Sequence, residues 1–163
     1  MKRIVACVLM LSVIGAVPAL AGDTPWFDFE NCSMCKPVMA IPGLMDHMSW
    51  EVHELSNGML QIGTVDPAFS AQFATACQGM DEVKAKLMAG EQLPLCGMCQ
   101  SVGALMMEGA TMEEVMTKNG YAAVMTSSDA KVVAKIHDHV KHTNEEMAKM
   151  MGESGAHGDH GSH

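Results

Sequence analysis

Trp50-Glu51-Val52-His53-Glu54-Leu55-Ser56-Asn57-Gly58-Met59-Leu60-Gln61-Ile62-Gly63-Thr64-Val65 reads as two strands joined by a tight turn. Asn-Gly is the favoured pair for a two-residue hairpin turn, because both central positions need positive φ. A helix competes over residues 44–55, where Leu44, Met48, Val52 and Leu55 fall on one helical stripe. The turn signal decides for the hairpin. Glu113 to Thr117, Asn119-Gly120 and Tyr121 to Ser127 repeat the pattern further down the chain.

The repetition extends outward from the hairpins. Each is preceded by a Cys-x-Met-Cys signature, Cys32-Ser33-Met34-Cys35 and Cys96-Gly97-Met98-Cys99. Each is followed by an aspartate that opens a helix, Asp66 or Asp129. In both helices the apolar residues fall at the same offsets, Phe69, Phe73 and Cys77 in the first and Val132, Ile136 and Val140 in the second. Agreement of spacing across unlike residues points to an internal duplication. Two copies make a pseudo-dimer, not a solenoid.

Asp66 is a good N-cap with Pro67 at the first helical position, and that helix is expected to run to about Met88 before Gly90. Ser128 or Asp129 caps the last helix, expected to end near Met151. The helices that carry the thiols are shorter, Ser33 to about Ala40 and Gly97 to about Glu108. The expected fold is therefore α+β: a duplicated helix–hairpin–helix unit whose hairpins merge into an antiparallel sheet of about four strands, with helices on its faces. The boundaries follow as 22–90 for the first half, 91–151 for the second, and a Gly-, Ser- and His-rich tail over 152–163 expected to be disordered.

Residues 1–21 read as a cleaved signal peptide. Lys2 and Arg3 precede an apolar run from Ile4 to Val17, and Ala19-Leu20-Ala21 is a small-x-small cleavage site. The run is short for a membrane span, and Cys7 lies inside it instead of at the cleavage point. Export to the periplasm or outside the cell is expected, with no stable membrane insertion after cleavage. Without residues 1–21 the 163-residue chain is still long enough for one core. Losing Lys2 and Arg3 leaves 8 basic against 19 acidic residues, a net charge of −11, and no arginine at all. A chain without a basic face is unsuited to nucleic acid.

The thiols and thioethers set the chemistry. Five cysteines lie beyond the leader, so at least one stands outside any intramolecular pairing, and Cys77, on an apolar stripe with Phe73 and Met80, is the natural odd one. Of 18 methionines only Met1 and Met10 fall in the leader. Methionine fills irregular cores, and it is also a soft ligand suited to Cu(I). Two thiols at a helix start can ligate a metal, cycle through a disulfide or be locked as cystine. Haem attachment is excluded, because Lys36 and Gln100 stand where histidine is required. Cys32, Cys35, Cys96 and Cys99 can form one tetrahedral S4 site if the halves bring them together. Met34 and Met98 are candidate auxiliaries, although a buried helix-side contact is their ordinary role.

Histidines give weaker candidates. His137, His139 and His142 lie on the last helix, where a solvated polar flank is the ordinary expectation; His139 and His142, at i and i+3, can share an ion with Glu145 or Glu146 close by. His157, His160 and His163 in the tail suit loose, exchangeable metal capture. His47 and His53 have no evident partner. No phosphate-cradling loop, His-Glu-x-x-His motif or serine elbow occurs, which points away from an enzyme. The expected function is sequestration or delivery of copper or zinc, with a protein partner for delivery. A thiol–disulfide oxidoreductase and an interaction domain held by disulfides are the alternatives.

Overall fold

Both hairpins form, although the Asn-Gly pairs act differently from the expectation. A computed structural model describes residues 24–155 of the chain. Strand β1 (Met48–Leu55) pairs antiparallel with β2 (Gly58–Val65), and β3 (Thr111–Thr117) with β4 (Gly120–Thr126). The last pairs before the turns are Leu55↔Gly58 and Thr117↔Gly120, so the two-residue turns are Ser56-Asn57 and Lys118-Asn119. Each glycine is already the first residue of a strand. No non-glycine residue among those described has positive φ, so neither turn has the mirror-image geometry that Asn-Gly favours.

The glycines are needed for a close approach instead. A Cβ on Gly58 would overlap the carbonyl oxygen of Met125, and one on Gly120 would overlap that of Gly63. Strands β2 and β4 pair antiparallel at the centre of a four-stranded sheet of order β1-β2-β4-β3, from Gly58↔Thr126 to Thr64↔Gly120. The asparagines extend this seam. Val65 N–H donates to Asn119 O at 3.0 Å, and Ser127 N–H donates to Asn57 O at 3.1 Å. The shift in numbering that carries Asn57 onto Asn119 maps this whole register onto itself.

Four α-helices complete the described residues: α1 (Lys36–Met39), α2 (Ser70–Met88), α3 (Gly97–Met107) and α4 (Ala130–Gly155). Asp66 caps a short 3₁₀ turn, Pro67–Phe69, ahead of α2, its carboxylate accepting from Ala68 N–H. Helix α1 starts at Lys36 and not at Ser33, because Cys35 is its N-cap and Cys32–Cys35 is spent on a turn. Helix α4 continues through Gly152 to Gly155, past the expected stop at Met151. His157, His160 and His163 lie outside the described residues, as does the expected signal peptide over residues 1–21.

The strand alternation sends one set of side chains into the core and the other to the opposite face of the sheet. Val52, Met59 and Met125 are buried with Leu105 of α3 and Val132, Ile136 and Val140 of α4. At the other end of the same face Val65 packs with Leu44 and with Phe73 and Ala76 of α2. Among the described residues the packing helices thus share one face of the sheet, where helices on its faces were expected. Leu60, Ile62, Ala122 and Val124 form a half-buried strip on the opposite face. Helix α1 rests on α2 at Gly79, where a Cβ would press on the Pro37 ring.

Two histidines expected on a solvated flank are part of this packing. His139 is 4% exposed, because α3 and Trp26 close over that side of α4. His137 bonds through Nε2 to Leu55 O at 2.9 Å, and Asn144 donates to Val52 O, which fastens α4 to β1. Only His142 of the three remains exposed.

Candidate metal centre

Each Cys-x-Met-Cys signature folds back on itself through its backbone. The carbonyl of Cys32 accepts from Cys35 N–H at 3.1 Å and from Lys36 N–H at 3.0 Å, turning the chain so that both thiols face one side. Cys96 is the extended N-cap of α3, and Cys99 follows one turn later on the same helix. Two further contacts hold the signatures together. Ser33 N–H donates to Pro94 O at 2.8 Å, joining the first signature to the segment that leads into the second. Gly97 and Met98 N–H donate to Pro25 O and Trp26 O, both at 3.0 Å. The first amides of α3, which lack partners inside the helix, are satisfied by the segment that leads into Cys32.

Gly97 permits this contact. A Cβ there would lie 3.2 Å from Trp26 Cε3 and 3.3 Å from its Cα. Trp26 is then fixed from its other side, its Nε1 donating to Thr143 Oγ1 at 3.3 Å and its ring lying 5.3 Å from His139 and 4.2 Å from His142. Sequence reasoning missed Trp26. Its only signal was a Trp26-Phe27-x-Phe29 cluster just ahead of the first signature.

The outcome is a single cluster. The Sγ atoms of Cys32, Cys35, Cys96 and Cys99 all lie within 4.8 Å of one another, and the Cys32–Cys99 separation is 3.7 Å. Metal–sulfur bonds of about 2.3 Å in a tetrahedron require sulfur–sulfur edges of about 3.8 Å. A disulfide requires about 2.05 Å. The spacing therefore fits a shared ion, and all five cysteines of the described residues are free thiols.

Charge gives the same answer. Hydrogen bonds from Cys35 and Cys99 hold the Cys96 thiol well below the ordinary range. In return the Cys96 contact pushes Cys35 up, and hydrogen bonding to Cys35 and Cys96, followed by burial, pushes Cys99 up. Cys96 thus gives up its proton more readily than Cys35 or Cys99. A second thiolate about 4 Å away costs about 4 kcal/mol at an effective dielectric near 20. Full ionisation thus needs a cation in place of the protons.

The remaining candidates sit as follows. Met34 and Met98, each between its two thiols, are half-buried. His139 bonds through Nδ1 to Ser101 Oγ at 2.9 Å, and His142 Nε2 lies 3.7 Å from Glu146. Both histidines flank the Trp26 ring. Among the described residues, the four cysteines are the only group of three or more His, Cys, Asp or Glu side chains close enough to share an ion. Cys77 is half-buried in the α2 core, and burial raises its thiol pKa. Comparisons with family models, with curated proteins and with solved structures returned no match to this chain.

Proposed function

We propose that the protein binds a soft or borderline metal ion at this four-cysteine centre, Cu(I) first and Zn(II) second, for sequestration or delivery. The observation that carries the proposal is the mutual approach of four thiols to within 4.8 Å from two signatures far apart in the chain, one opening at Cys32 and the other at Cys96. Soft thiolates select these ions over hard ones, and no carboxylate or imidazole joins the group. Met34 and Met98 serve as auxiliary thioethers, His139 and His142 as a minor site, and His157, His160 and His163 as a loose collector. Export directed by residues 1–21 puts this activity in the periplasm or outside the cell.

The same proposal takes the chain to be an internal duplication with halves 22–90 and 91–151. The self-mapping β2–β4 register supports that reading, and so does the matched burial of the thiols, with the first of each pair buried and the second half-buried. Duplication explains why each half supplies two of four ligands. Thiol–disulfide catalysis fits less well. It needs an accessible acidified thiol, whereas Cys96 is 0% exposed.

The test is metal content. Protein purified anaerobically in reduced form is expected to retain about one equivalent of copper or zinc, as one closed S4 site would. Replacing Cys32, Cys35, Cys96 and Cys99 together by serine is expected to abolish it. Equal metal in the quadruple variant refutes the proposal.

A further inference from the structure

The four thiols are not equivalent, and the difference runs the same way in both signatures. Cys32 and Cys96 are 1% and 0% exposed, whereas Cys35 and Cys99 are half-buried. Backbone hydrogen bonds hold the first cysteines from both sides. Cys32 N–H donates to Asp28 O and its carbonyl accepts twice, while Cys96 precedes the two amides bound by Pro25 and Trp26. Lys36 and Gln100, which follow the second cysteines, are exposed. The cluster therefore has a closed side and an open side.

We infer that metal leaves this centre by direct exchange with an acceptor that offers thiols, Cys35 and Cys99 giving way first and Cys32 and Cys96 releasing the ion last, and that it enters in the reverse order. The inference rests on the metal-binding reading above and adds to it which ligands exchange first and what chemistry the acceptor brings. In each step one metal–sulfur bond to a cysteine breaks, first to Cys35 or Cys99 and last to Cys32 or Cys96, and one to an acceptor sulfur forms. The incoming thiol loses a proton and the departing cysteine gains one, so charge and oxidation state are unchanged. A thiol acceptor suits this step because it replaces a ligand of the same softness, so the ion never passes through water. A free hydrated ion would instead have to shed all four thiolates with no ligand of the same kind to replace them.

Chemical rescue tests this with Co(II) as the probe, since its absorption reports thiolate ligation and tetrahedral geometry. Four single variants are compared, Cys32→Ala, Cys35→Ala, Cys96→Ala and Cys99→Ala, each with and without β-mercaptoethanol. The small thiol is expected to tighten Co(II) binding at least about tenfold in Cys35→Ala and Cys99→Ala, and to restore the four-sulfur spectrum. Cys32→Ala and Cys96→Ala should change less than about twofold, because the vacated position is closed to solvent. Equal rescue of all four, or rescue of Cys32→Ala and Cys96→Ala alone, overturns the inference. Wild-type kinetics give a second measure that does not depend on any variant folding. Transfer of Co(II) to excess dithiothreitol is expected to rise in proportion to dithiothreitol concentration, and a concentration-independent rate overturns direct exchange. Failure of the wild type to bind Co(II), Zn(II) or Cu(I) at all refutes the metal-binding reading itself.

Discussion

Acid should weaken this fold through His139, and the size of the effect follows from its surroundings. The ring is 4% exposed, and burial first, then the nearby His142, lowers its pKa from 6.5 to about 4. A falling pH protonates the unfolded chain near 6.5 but the folded protein only near 4. The neutral ring's contribution is therefore intact above about pH 6.5 and lost between about 6.5 and 4. Linkage puts the loss at about 2 kcal/mol between pH 7 and pH 5, approaching about 3 kcal/mol below pH 4. The measurement is urea unfolding of the reduced, metal-free protein at pH 7, 6 and 5, beside His139→Gln. Glutamine does not titrate and can still bond Ser101, so the difference in pH slope isolates the imidazole from all other groups. The wild type is expected to lose about 2 kcal/mol more than the variant over that interval. Parallel slopes would refute the reasoning and show that His139 takes up its proton in the folded state.

Other outcomes follow from the packing. Ile136→Ala removes a fully buried side chain between α4 and the sheet and is expected to cost about 3 kcal/mol in equilibrium unfolding, without changing metal stoichiometry. Gly120→Ala puts a Cβ into the Gly63 carbonyl at a φ of +137°, and should cost at least about 2 kcal/mol by the same assay. Gly97→Val should separate Trp26 from the start of α3 and weaken Co(II) binding about tenfold or more, visible by competitive titration. Breaking the exposed Lys135–Glu108 pair with Lys135→Ala should cost less than about 1 kcal/mol in thermal unfolding.

The hairpins were legible in residues 50–65 and 113–127, because an Asn-Gly pair between two strand-like runs outweighed the helical stripe that competes over residues 44–55. What Asn57-Gly58 and Asn119-Gly120 do was not legible. Their backbones meet the opposite hairpin, and a contact between strands from different halves of the chain leaves no local trace. The placement of the last helix was read correctly from Val132, Ile136 and Val140, whereas His139 was assigned to its polar flank. That assignment failed because Trp26, far away in sequence, closes the groove beside it. The beginning of α1 was also misplaced, since a Cys-x-x-Cys turn and a first helical turn have the same spacing.

The four thiols show the same division. The amino-acid sequence by itself determined the thiols, their pairing in two signatures and the strands and helices that flank them, all of which depend on neighbours within a few turns of chain. It left open whether the pairs meet, since two matching signatures about 60 residues apart become neighbours only if the fold brings them together. Tertiary structure decided that point. Pairing of β2 with β4, the Ser33–Pro94 bond and the seating of Pro25 and Trp26 on α3 bring Cys32 and Cys35 against Cys96 and Cys99. Those contacts also bury the first thiol of each pair and leave the second half-buried, because Pro25, Trp26, Asp28 and Pro94 close on the first cysteines from outside the signatures.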